Sequence, residues 1–101
     1  MNHRGVARVR RRLRVTLAGV KTFTSDISPT GFAAELMKIL APGSMQQGTI
    51  ELFGKTFDFT GLIRWMKHGD PRMSIRGRVG VQFTGIPNGF YELLKTAYPA
   101  H

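Results

Sequence analysis

The sequence predicts an all-β fold: five or six short antiparallel strands forming a small barrel or strongly curled sheet, followed by one C-terminal helix. Segments such as "TFDFTGLIRWMK" (56–67) and "SIRGRVGVQFTG" (74–85) alternate apolar and polar residues with period two. Strands buried on one face show that pattern. After Pro87 the apolar spacing lengthens to that of a helix. A length of 101 residues, 42% of them apolar, suits one domain around one core and leaves no room for two.

Taken in order, residues 1–12, "MNHRGVARVRRR", carry much charge and little periodicity, and read as a flexible basic arm. The barrel and its helix are expected over 13–101. In "LRVTLAGV", Leu13, Val15 and Leu17 share one face and Arg14 and Thr16 the other, which is strand alternation. "DISPTG", Asp26 to Gly31, breaks the strand with turn-forming residues. "FAAELMKIL" fits strand or helix equally, and Pro42-Gly43 ends it. "TIELFGKTFDF" reads as a hairpin with Gly54-Lys55 at its turn. Along the next strand Phe57, Phe59, Ile63 and Trp65 point inward, and Asp58, Thr60, Arg64 and Met66 outward. The following one places Ile75, Val79, Val81 and Phe83 inward, with Arg76, Arg78 and Gln82 opposite. A helix over about 87–97 gathers Phe90, Leu93, Leu94 and Ala97 on one side. The chain has no internal repeat, low-complexity segment or interior linker.

Fifteen Lys and Arg against six Asp and Glu give a formal charge of +9, which favours anionic partners. The absence of cysteine excludes disulfides, thiolate metal sites and cysteine nucleophiles. His3, His68 and His101 lack metal-ligand spacing, and the acids are dispersed with no general acid–base pair evident. Neither a phosphate-binding glycine loop nor a serine nucleophile motif occurs. A binding module without metal or cofactor is therefore expected, not an enzyme. No apolar run is long enough to span a bilayer, and no signal-peptide core follows the basic start, so a cytoplasmic location is expected.

Two short stretches carry candidate chemistry. "VRRRLRV" packs four arginines into five consecutive positions. Every cation from residue 4 to 14 is Arg, whose planar fork suits bidentate phosphate contact, stacks on base planes and matches O6 and N7 of guanine. Eleven residues separate Arg14 from "DISPTG", in which Asp26 and Ser28 flank Ile27 and so point the same way at strand spacing. Such an oxygen pair can accept from N1 and N2 of a guanine. Gly31 supplies a positive φ or lets a ligand approach the backbone closely. The bland alternatives are a solvated basic tail and an ordinary Asp/Ser turn.

R-x-x-x-R at Arg10 and Arg14, an apolar strand, then D-x-S-x-x-G at Asp26, Ser28 and Gly31 resembles the paired motifs of the PilZ domain family. "GLIRW" (61–65) resembles that family's later glycine-to-tryptophan strand, and "GVQF" (80–83) the strand before its C-terminal helix. The resemblance covers about residues 8–97. It implies a six-stranded antiparallel PilZ-type barrel that binds the bacterial second messenger cyclic di-GMP, as a monomer or as an intercalated dimer. Carried over, Arg10 and Arg14 form the clamp on phosphate and guanine, Asp26 and Ser28 read the base, and Gly31 is the close-approach turn. Arg8, Arg11 and Arg12 are additional candidates, with Arg8 and Arg12 an alternative register. The implied role is a receptor whose arm orders over the ligand and signals to a protein partner or adjoining domain, in motility or exopolysaccharide control.

Two other readings stand beside it. A basic barrel binding single-stranded nucleic acid would expose several aromatics in a basic groove, whereas Phe57, Phe59, Trp65 and Phe83 fall on inward positions, so no specific nucleic acid is expected. The other reading is a PilZ adaptor that binds no nucleotide.

Overall fold

The computed structural model describes residues 10–97. Six antiparallel strands, β1 (Arg14–Leu17), β2 (Val20–Ser28), β3 (Gly31–Glu35), β4 (Met45–Leu52), β5 (Lys55–Lys67) and β6 (Arg78–Gly85), close into a barrel. Their order around it is β1-β2-β3-β6-β5-β4, and β4 pairs back onto β1 with Val15 opposite Ile50. One helix, α1 (Asn88–Ala97), follows. Closure removes the unpaired edges that an open sheet of such short strands would present.

Tight turns set the register. β1 and β2 meet through Ala18-Gly19, with φ of 52° and 81°, and Leu17 faces Val20. β4 and β5 meet through Phe53-Gly54, with φ of 51° and 78°, and Leu52 faces Lys55. Two successive positive φ values give the hairpin turn whose twist matches that of the flanking strands. The second turn lies one residue before the Gly54-Lys55 position expected from sequence. The first cuts the apparent strand "LRVTLAGV" in two, and β2 is the element that period-two reading did not separate. Of "FAAELMKIL", only the part through Glu35 is strand. The rest is irregular, with Leu36 and Leu40 buried at 2% and 4% exposure.

Phe32, Phe59 and Phe83 fill the barrel, with ring centroids 5.5–5.8 Å apart and mostly edge-to-face. α1 buries Phe90 and Leu94 completely. Phe90 packs against Phe57 and Phe83 at 5.6 and 5.4 Å, so the helix caps one end of the aromatic column.

Inward alternation fails at three residues, in two stretches of the chain. In β5, Ile63 faces Val81 but Trp65 faces Gly80, so the strand carries one extra residue at Arg64. This bulge reverses the faces beyond it. Trp65, expected in the core, is 43% exposed, and Met66, expected outside, packs against the core. Ile75 is 52% exposed, because β6 begins only at Arg78 and Ile75 instead bridges Asp70 beside a single 3₁₀ turn, Pro71–Met73. Asp70 caps that turn, accepting the Arg72 amide at 3.0 Å.

Candidate functional site on the outer face of the barrel

The site grows from a bulge in β2. Thr24 faces Ala34 and Asp26 faces Ala33, so Ser25 is the extra residue. Thr24 and Asp26, two apart, therefore point to opposite sides: Thr24 into the barrel, 1% exposed, and Asp26 outward. Ile27 is fully buried, which sets Asp26 and Ser28 together on its other side.

Thr24 also fixes the arginine run. Its hydroxyl donates to the carbonyl of Arg11 at 2.5 Å and accepts the Leu13 amide at 2.9 Å. Its own amide donates to the Leu13 carbonyl at 2.9 Å. Arg11–Leu13 are thereby tied to β2 ahead of β1, which determines where each arginine emerges.

Those arginines go to different places. Arg10 lines a cleft with Ser25, Asp26, Glu35 and Arg78. Arg11 donates back to the Arg10 carbonyl at 3.2 Å. Arg12 lies over the Phe23 ring, its Cζ 4.5 Å from the centroid. Arg14, opposite Phe23, lines a separate cleft with Lys21, Thr22, Thr49, Glu51 and Thr56. Arg8 and most of the expected arm over 1–12 lie outside the described residues.

The "DISPTG" turn is a two-residue hairpin in which Ser28 faces Gly31 across Pro29-Thr30. Ser28 is 5% exposed, and its hydroxyl accepts the Thr30 amide and donates to the Gly31 carbonyl, both at 3.3 Å. The hydroxyl is thus engaged in holding the turn. Gly31 has no positive φ. A Cβ there would stand 1.9 Å from the Val81 carbonyl oxygen, so the close approach that demands glycine is that of β6.

Asp26 borders a second groove, of about 540 Å³, whose walls include Thr30, Arg64, Trp65, Gly80 and Gln82. The carboxylate thus lies between a cleft bearing Arg10 and Arg78 and a groove bearing Arg64 and an indole. Arg78 donates to the Ser25 hydroxyl at 3.0 Å, and Arg76 pairs with Glu35 at 3.7 Å. Chemically this face offers acceptors for amide-type donors, guanidinium forks for phosphate or a purine acceptor edge, and an aromatic plane. Sequence reading placed Arg64 and Arg78 only on an unspecified outer surface and put Trp65 in the core. The alternation carries no signal of the bulge, which shows only in the pairing of Trp65 with Gly80. Among the described residues no group of three His, Cys, Asp or Glu is placed to hold a metal, and no helix is long and apolar enough to cross a membrane.

Comparison with known proteins bears on this geometry. The solved structure of the Bacillus subtilis inhibitor of motility, MotI/DgrA, is similar at a TM-score of 0.77 over 96% of this chain and 49% of that one. This chain therefore spans about half the length of that protein. At 19% sequence identity the likeness is one of fold. No curated protein matches the chain. The family model of the PilZ domain matches residues 2–98. With the closed six-stranded barrel and its C-terminal helix, that match establishes that the chain belongs to the PilZ domain family.

Proposed function

We propose that this chain is a cyclic di-GMP receptor domain that binds the nucleotide on the outer face of β2, with Asp26 at the centre of the site. PilZ domains form a family of cyclic di-GMP receptors, regulatory binding domains and not enzymes. The observation that carries the reading to these residues is the position of Asp26, between Arg10 and Arg78 on one side and Arg64, Trp65 and Gln82 on the other.

The ligand has two phosphodiesters and two guanines. A carboxylate on this face accepts from guanine N1 and N2, donors that a nucleic-acid phosphate backbone does not offer. Arg10, in the cleft that Asp26 also lines, supplies a fork for phosphate and for O6 and N7, whereas Arg14, in a separate cleft at the start of β1, is the second fork that the motif implies. Ser28 and Gly31 act from within the turn, holding Asp26 at its height above the sheet. Arg11 and Arg12 belong to the segment tethered by Thr24, and Arg10 lies just ahead of it. The covered surface then alters affinity for a protein partner or adjoining domain. The similar Bacillus subtilis protein is an inhibitor of motility, which makes motility one process such a receptor would serve, with exopolysaccharide control another.

Retention of labelled cyclic di-GMP in equilibrium dialysis, challenged by unlabelled cyclic di-GMP, GTP and a single-stranded oligonucleotide, tests the reading. Displacement by the unlabelled dinucleotide alone is expected. Displacement by the oligonucleotide, steeply weakened by salt, would favour the nucleic-acid barrel instead. Absence of retention at concentrations on the order of tens of micromolar would leave the adaptor reading.

A further inference from the structure

At the end away from α1 the barrel carries two loops, residues 36–44 after β3 and 68–77 between β5 and β6. Glu35 and Lys67 both pair with Arg78, and the Leu36 amide donates to the Gly77 carbonyl at 2.8 Å, so the loops leave the barrel side by side. Between them they expose four large apolar side chains, Met37, Ile39, Met73 and Ile75, each 46% to 67% open to solvent. Slack in the chain does not explain this exposure. The Asp70 amide donates to the Ile75 carbonyl at 2.8 Å, and the amides of Met73 and Ile75 both donate to the Asp70 carbonyl at 3.0 Å. A Cβ on Gly69 would stand 2.4 Å from the Ile75 carbonyl oxygen, and one on Gly77 2.5 Å from that of Leu36, so the loop is folded tightly on itself and on the exit of β3. Its backbone is satisfied while Met73 and Ile75 stay in water, the mark of a surface built to be covered.

The charges around this tip restrict what covers it. Lys38, Arg72 and Arg76 lie on the two loops and Lys67 at the strand end beneath them. Only Asp70 and Glu35 oppose them, 3.5 Å from Arg72 and 3.7 Å from Arg76. A closed barrel has no edge to which a strand could add. Neither loop contains Phe, Tyr or Trp, the residues that seat polyproline segments and anchor proteins at a membrane interface. A second copy would bring like charges together on a chain of formal charge +9. An amphipathic helix flanked by Asp and Glu fits both features, because methionine adapts to an apolar helix face and the carboxylates meet the basic rim.

We propose that this Met/Ile tip is the docking surface for an acidic amphipathic helix of a partner protein. The surface lies outside the nucleotide site and does not depend on the receptor reading. Fluorescence anisotropy with the full chain and a labelled model helix tests it, using a peptide of about 18 residues with Leu at i, i+3, i+4 and i+7 and Glu beside them. Binding on the order of tens of micromolar is expected, about tenfold tighter than for the same peptide with Lys replacing Glu or with its leucines scrambled out of helical spacing. Met73→Ser combined with Ile75→Ser should weaken the Glu peptide about tenfold and leave the far-UV dichroism unchanged, since both side chains are already exposed. Arg72→Glu should weaken the Glu peptide and strengthen the Lys peptide, and it decides the matter if the double variant fails to fold. No binding, equal binding of the scrambled peptide, or native affinity in these variants would overturn the proposal. Co-sedimentation with phosphatidylglycerol vesicles, or a concentration-dependent dimer, that the double variant loses while peptide binding stays unchanged would assign the tip to lipid or to a second copy instead.

Discussion

The hydroxyl of Thr24, buried in the barrel wall, holds the carbonyl of Arg11 at 2.5 Å while accepting the amide of Leu13 at 2.9 Å. One side chain thus joins the arginine run to the strand that presents Asp26 two residues later. Removing a hydroxyl from a part-buried pair of backbone partners leaves both of them unsatisfied. Thr24→Val should therefore cost about 1–3 kcal/mol in urea unfolding. It should also speed hydrogen exchange at the Leu13 amide well beyond the rest of β2 and weaken cyclic di-GMP binding. Unchanged exchange at Leu13 would mean that the arm is held by something else.

Gly31 has a structural requirement separate from any ligand. Because a Cβ would meet the Val81 carbonyl oxygen at 1.9 Å, Gly31→Ala must push β3 away from β6. The expected loss is more than about 2 kcal/mol, in the range of overpacked cores. It should be visible as a lowered melting temperature without any nucleotide present. Loss of binding in this variant therefore reports on the fold first.

Phe90 closes the aromatic column with rings at 5.4 and 5.6 Å, and none of it reaches solvent. Phe90→Ala should cost about 3–5 kcal/mol in denaturant unfolding. The helical part of the dichroism should fall with it, because α1 is ten residues long, too short to persist without packing.

Arg12 and Arg10 should separate cleanly. With its guanidinium over Phe23, Arg12→Ala should lower stability by about 0.5–1 kcal/mol, the range of an exposed cation–π pair, and change nucleotide affinity little. Arg10→Ala should leave stability nearly unchanged and weaken the nucleotide by about tenfold or more, as expected for a charge-assisted contact. The reverse assignment would point to Arg12 and the other register of the arginine run. Parallel melting curves and dialysis on the two variants distinguish the cases.

Much of this was legible in the sequence, and the failures have physical causes. The hairpin signal around Gly54-Lys55 marked the end of β4, alternation marked β5 and β6, and the change to helical spacing placed α1 within a residue of its observed ends. The hairpin at Ala18-Gly19 was hidden because alanine is not a residue that signals positive φ, although the barrel imposes 52° on it. Trp65 was misplaced because one extra residue at Arg64 inverts every later position, and a bulge leaves no trace in a period-two pattern. For the candidate site, the spacing of Asp26 and Ser28 around an inward Ile27 was readable at once. The approach of Arg78 to Ser25 was not, since 53 residues separate them and only the pairing of β3 with β6 brings them together.

Calorimetric titration of cyclic di-GMP into the native chain and into Asp26→Ala tests the central claim most directly. The account predicts saturable binding by the native chain and a loss of about tenfold to a hundredfold in Asp26→Ala, the cost of a charge-assisted contact removed from a base. The variant should melt at nearly the native temperature. Equal affinity in the two proteins, or tighter binding once the carboxylate is gone, would contradict it, because a carboxylate that reads no base only repels the phosphates.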